Sequence, residues 1–152
     1  MNVLVLCTGN SARSILGEVL LRDLAGVASF SAGSRPTGRV NPEAIAVLTR
    51  HGHDASGVSS KSWDAFEAGP DMDVVVTVCD SAAAEECPYW PGAPVRAHWG
   101  IPDPAGAADE SAAFEDAYRR MRARVEAFAA LPSDLDAAER AHRIAAIGET
   151  PL

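Results

Sequence analysis

The chain has 152 residues, 47% of them hydrophobic and 22% charged, with a formal net charge of −8. That is the length of one domain able to bury a single core, and no apolar run approaches the ~20 residues needed to span a bilayer. The acidic balance argues against a nucleic-acid binder, which needs a basic face, and three cysteines are too few, and of the wrong parity, for a secreted disulfide framework.

Val3 to Leu6 reads as a strand buried on both faces. Ile15, Leu16, Val19, Leu20 and Leu24 then recur at helical spacing from a start at Ser14, with Glu18, Arg22 and Asp23 opposite and Gly26 as the stop. Val27 to Ser31 forms a second strand. Asn41-Pro42 opens a helix over Glu43 to His51, closed by Gly52, which puts His51 and His53 on a helix end and a turn. Met72 to Val78 is the strongest strand pattern, and Cys79 follows it. Val95 to His98 is a weaker strand after the turn at Pro91-Gly92. From Ser111 to Leu131, Phe114, Tyr118, Met121, Val125 and Phe128 mark one long amphipathic helix, with Arg119, Arg120, Arg122 and Arg124 read as its solvated face. Pro132 ends it, and residues 134 to 147 read as a further short helix.

Strands alternating with helices imply parallel βαβ units with right-handed crossovers. The expected fold is an α/β three-layer sandwich on a roughly four-stranded parallel sheet. The opening segment lacks the basic start and the long apolar stretch of a secretory signal, so a cytoplasmic protein is expected, and a monomer.

The stretch VLVLCTGNSARS at 3–14 passes a thiol from a strand end to a tight loop and then to a helix start. In such sheets ligands bind at the carboxyl ends of the strands. A helix N-terminus presents unpaired N–H groups to an anion, and Gly9 and Asn10 tolerate the left-handed conformations that turn successive N–H groups inward. Arg13, six residues after Cys7, can fold back with its bidentate fork. This field is expected to depress the Cys7 pKa, with the Ser14 hydroxyl donating to the sulfur. The loop thus offers a nucleophile at the base of a cage for a tetrahedral oxyanion. Asp103, between Pro102 and Pro104, follows the last strand and reads on local signals either as a turn residue or as a proton donor at the same sheet edge.

CTGNSARS resembles the phosphate-binding loop of the low-molecular-weight protein tyrosine phosphatase superfamily. With SAGSRPTGRVNPEA, VVVTVCD and HWGIPDPA in the family's order, the chain resembles more narrowly the arsenate reductases on that fold. The resemblance runs over about residues 2 to 131, giving an expected catalytic domain at 1–132, wound like a flavodoxin, and a C-terminal extension at 133–152. It implies Cys7 as nucleophile, Arg13 as oxyanion clamp, Asp103 as acid, and Thr8, Gly9, Asn10, Ser11, Ala12, Arg13 and Ser14 as the substrate-binding loop. Phosphate or sulfate would compete for that loop. Tyrosine phosphatases of the superfamily commonly place an aromatic residue after the Asp-Pro pair; here Ala105 stands there, leaving a ring little to rest on. Some relatives bind potassium behind the loop. Asn10, Glu18 and Ser31 fit part of that pattern, but Lys61 stands where an acid would be needed, so no metal is expected.

In related reductases a second cysteine attacks the arsenic-bearing one and a third resolves the disulfide for thioredoxin. The resemblance implies these roles for Cys79 and Cys87, and with them an external thiol reductant and no bound cofactor. Seven residues separate the two here, where relay members commonly have six. A helical 80–87 segment would hold them about 12 Å apart, beyond disulfide reach, so the segment would have to unwind. Competing readings remain open. Cys79 can be a small buried hydrophobe, and Cys87 can be idle, with glutathione or mycothiol (through glutaredoxin or mycoredoxin) in its place. Zinc on Cys79, Cys87 and His98 lacks the paired ligand spacing. The rivals to arsenate reduction are an aryl or tyrosine phosphatase and a non-catalytic oxyanion sensor.

Overall fold

The computed structural model describes residues 1–80 and 94–152. Four strands, β1 (Asn2–Cys7), β2 (Ala28–Gly33), β3 (Val74–Thr77) and β4 (Val95–His98), form one parallel sheet in the order β2-β1-β3-β4. The helices are α1 (Arg13–Leu20), continued by a π turn over Leu21–Ala25, α2 (Pro42–Arg50), α3 (Glu110–Ala129) and α4 (Ala137–Ile147), with a 3-10 turn at Trp63–Phe66.

The chain leaves β1 toward β2 on one side and returns to β3 on the other. The carboxyl ends of β1 and β3 therefore flank the point where the crossovers diverge, the crevice in which open α/β sheets take ligands. Leu6 pairs with Thr77 there, so Cys7 and Cys79 both emerge at that crevice. Alternation along β1 sets the layers. Val3 and Val5, with Val74 and Val76, pack against the apolar stripes of α1, α2 and α3, while Leu4, Leu6, Ala32 and Val75 pack with Phe66 and Met72 on the other face.

Most elements fall where the sequence pattern puts them, β4 to the residue. α2 is capped by Asn41, whose side chain accepts from the Glu43 amide at 2.9 Å, and ends before Gly52 at φ 84°. α1 starts one residue before Ser14, and the strongest strand pattern pairs only over Val74–Thr77.

Two expectations are corrected. Leu24 lies on the surface and Leu21 is fully buried, because the wider π turn rotates the stripe out of phase with a 3.6-residue repeat. Arg124 is no solvated residue. It is 6% exposed and donates to the carbonyls of Ile147 and Thr150 at the end of α4. That last helix packs into the main core through Ile144 and Ile147. No helix among the described residues is long and apolar enough to cross a membrane. The proposed 80–87 unwinding and the Pro91-Gly92 turn lie wholly or largely outside the described residues.

Candidate active site

The loop after β1 is shaped by where its carbonyls go. Thr8 O accepts from the Arg35 amide at 3.0 Å, Gly9 O from the Thr37 amide at 3.0 Å and the Ser60 hydroxyl at 3.1 Å, and Ser11 O from the Asn41 amide at 2.9 Å. In a planar trans peptide the next N–H points the opposite way, so the amides of Gly9, Asn10 and Ala12 face inward. Among the described residues they donate to no protein group. Gly33 makes the close approach possible, since a Cβ there would lie 2.3 Å from Thr8 O.

Of Gly9 and Asn10, only Asn10 takes positive φ, at 48°. Its fully buried side chain fixes that turn. Nδ2 donates to Ser14 Oγ at 2.8 Å and Ser31 Oγ at 3.0 Å, and Oδ1 accepts from the Lys61 amide at 2.9 Å. Ser14 thus stands behind the loop, bonded to Asn10 and making no hydrogen bond to Cys7 among the described residues. The expected Ser14–sulfur bond is therefore replaced by one to Asn10. The loop needs its oxygen as an anchor.

Behind Asn10, the Ser31 hydroxyl donates to Glu18 Oε1 at 2.5 Å, and Lys61 Nζ lies 3.8 Å from the same oxygen while donating to Ser59 O at 2.8 Å. Burial pulls the Lys61 pKa below its ordinary value, opposed by Glu18. The potassium-like set is committed to itself and to an ammonium group, so it does not fit a metal cation.

Arg13 opens α1 with its guanidinium turned back over the loop. Nη1 donates to Ile101 O at 3.2 Å and Nη2 lies 3.6 Å from Asp103 Oδ2. Asp103 accepts from the Ala105 amide at 3.1 Å in an Asx turn. Its side chain is 57% exposed. Cys7, Thr8, Gly9, Asn10, Ser11, Ala12, Arg13, Cys79, Asp103 and Ala105 enclose one cleft of about 280 Å³. The sequence-predicted residues converge there, apart from Ser14 and from Cys87, which lies outside the described residues.

Cys7 and Cys79 are both buried. Thr8 Oγ1 lies 3.8 Å from Cys79 Sγ. The Cys7 pKa is raised, foremost by the hydrogen bond with Cys79, then by burial and the Cys79 charge, against Arg13 and the Thr8 amide, which lower it. This overturns the expectation of a depressed value. The positive field is present, but a second ionisable sulfur shares it. Two interacting sulfurs titrate as a pair, and the second proton must leave beside an existing thiolate. The pair therefore gives up its first proton more easily than its second, with Arg13 favouring charge on Cys7 against the Cys79 sulfur and burial.

Residues not singled out for these contacts are the Ile101 carbonyl, which orients Arg13, and Thr8 beside Cys79. His98 links Thr77 Oγ1 at 2.8 Å and Asp80 Oδ1 at 3.1 Å. No local sequence signal marks these contacts, which join residues far apart in the chain.

A cysteine beneath inward amides, with an arginine above it and a carboxyl across the cleft, defines a nucleophilic site for tetrahedral oxyanions on a doubly wound sheet. The family model for low molecular weight phosphotyrosine protein phosphatase matches residues 2–140, and the chain belongs to that family. An arsenate reductase of Brevibacillus brevis is 38% identical over 126 residues, 82% of this chain and 90% of the relative. The solved structure of an arsenate reductase in the phosphate binding state superimposes with TM-score 0.72 at 30% identity, covering 85% of this chain and 96% of that one. A thioredoxin-dependent arsenate reductase of Corynebacterium glutamicum gives TM-score 0.58 at 26% identity, covering 80% of this chain and 58% of that one.

Proposed function

We propose that the protein reduces arsenate to arsenite, with Cys7 as nucleophile and an intramolecular thiol relay as first electron source. The observation that carries this is the second thiol, Cys79, which lines the same anion cleft as Cys7 and raises its pKa. Hydrolysis of a phosphate ester has no use for it.

Arsenate fits a cradle whose inward amides and Arg13 balance its charge. The Cys7 thiolate attacks arsenic, an S–As bond forms, and the departing oxygen takes a proton from Asp103 and leaves as water. Cys79, as thiolate, then attacks the Cys7 sulfur. The S–As electron pair stays with arsenic, reducing it from the pentavalent to the trivalent state, and arsenite leaves a Cys7–Cys79 disulfide. Cys87 attacks Cys79, freeing Cys7, and an external dithiol reduces the Cys79–Cys87 disulfide. Thioredoxin is the proposed donor, in a reducing cytoplasm, in line with the thioredoxin-dependent structural neighbour. Small aryl phosphates are proposed as slow secondary substrates, because Cys7, Arg13 and Asp103 suffice for their hydrolysis while Ala105 offers no aromatic wall.

Cys79→Ser separates the two chemistries. Multiple-turnover arsenate reduction with thioredoxin should collapse while hydrolysis of p-nitrophenyl phosphate survives. Full-rate reduction by this variant would refute the relay, and loss of both activities would refute the separate role of Cys79.

A further inference from the structure

The residues after β4 carry the acid and hold the arginine, and they are braced from behind by the end of the chain. Trp99, 1% exposed, donates from Nε1 to Ile144 O of α4 at 3.0 Å. Gly148 lies so close to the strand that a Cβ on it would fall 1.8 Å from His98 O. Arg124 reaches from α3 between them. Nη1 donates to the carbonyls of Ile147 and of Thr150, the latter at 2.9 Å, and Nη2 to Gly100 O at 3.4 Å.

Arg124 is an unusual choice for mere packing. It forms no ion pair among the described residues, its Nε is buried without a partner, and burial lowers its pKa. A guanidinium withdrawn from water without a counter-charge is costly, and an apolar residue of the same volume often serves stability as well or better. What the guanidinium supplies is a fork that binds carbonyls from two segments at once. One segment is the C-terminal end of α4, where the helix dipole favours a cation. The other is Gly100, next to the Ile101 carbonyl that holds Arg13 Nη1 and three residues before Asp103.

We propose that Arg124 is a positioning residue for Asp103. It ties the 100–103 segment to α4 and so makes the last helix part of the catalytic apparatus. The inference rests on the reading of Asp103 as general acid, and not on which oxyanion is processed.

The test is a double-mutant cycle on the full chain with Arg124→Met, Asp103→Asn and the pair, read as single-turnover arsenite release and as p-nitrophenyl phosphate hydrolysis. Arg124→Met should retain its fold, judged by thermal melting, and slow turnover about tenfold, the size expected of a small misplacement of a reacting group. In the Asp103→Asn background the same substitution should have no further effect. A tenfold loss that persists without Asp103 would make the role merely structural and overturn the proposal, as would an unchanged rate in Arg124→Met. If Arg124→Met fails to fold, Trp99→Phe removes one bond of the same brace. It should slow turnover about threefold, with the same masking by Asp103→Asn; a loss without masking would again overturn the proposal. A wild-type chain inactive on arsenate but active on the aryl phosphate would refute the reductase reading and leave the cycle decisive on the second substrate.

Discussion

Residues 8–12 and residues 99–105 both close on Cys7, yet they are secured in different ways. In the first loop Asn10 is fully buried with three hydrogen bonds, and its neighbours' outward carbonyls are taken up by residues 35–41 and 60. In the second, Asp103 is 57% exposed, with one amide contact and an ion pair at 3.6 Å. The difference follows from what each must do. An oxyanion is stabilised by dipoles that need not reorganise, so its cradle is over-determined. A proton donor must approach a leaving oxygen and then exchange with water, so its carboxyl is left at the rim and steered from behind.

Substitutions in the two loops should therefore fail differently. The largest effect is expected from Arg13→Ala, which removes the clamp shared by both loops. Turnover should fall by about 10²–10³ and phosphate should lose most of its competition in steady-state inhibition. Unchanged inhibition by phosphate would remove Arg13 from the anion site. Asp103→Asn should lower kcat by about 10² while leaving phosphate inhibition near wild type. A change confined to KM would mean that Asp103 binds anion and does not donate a proton.

Asn10→Ala exposes the contrast from the other side. Losing buried hydrogen bonds should cost about 1–3 kcal/mol of stability in denaturant unfolding and weaken phosphate binding together with it. Stability and binding that separate in this variant would show that the left-handed turn does not set the cradle. The smallest effect is a shift in titration. Cys79→Ser removes the foremost cause raising the Cys7 pKa, so the Cys7 pKa should fall and its thiolate should form at lower pH. The pH profile of Cys7 alkylation by iodoacetamide should then move toward acid, and a move toward base would show that Cys79 stabilises the thiolate.

The first loop was legible because its parts are contiguous. A strand end, Gly9-Asn10, Arg13 and an amphipathic helix lie within VLVLCTGNSARS, and together they state an anion site before any fold is known. Asp103 was ambiguous on local signals and became an acid only through family resemblance, since its partner Arg13 is far away in the chain. The rise in the Cys7 pKa is hidden from the sequence for the same reason. The positive field is local to the loop, and the opposing sulfur enters only when β3 is laid beside β1. Arg124 followed its neighbours onto the solvated face because periodicity reports side-chain polarity, while its partners are carbonyls 23, 24 and 26 residues away. Leu24 was displaced by a π turn that no residue type announces.

The central claim, that Cys7 captures the oxyanion and passes its oxidation to Cys79, is tested most directly without any reductant. The reduced protein is given one equivalent of arsenate, quenched on a millisecond-to-second series with an alkylating agent, and its disulfides are mapped by peptide mass spectrometry. The account predicts a transient Cys7–Cys79 peptide appearing with one equivalent of arsenite and giving way to Cys79–Cys87. Arsenite released while Cys7 and Cys79 both remain alkylatable, or no arsenite and no disulfide at any time, would contradict it.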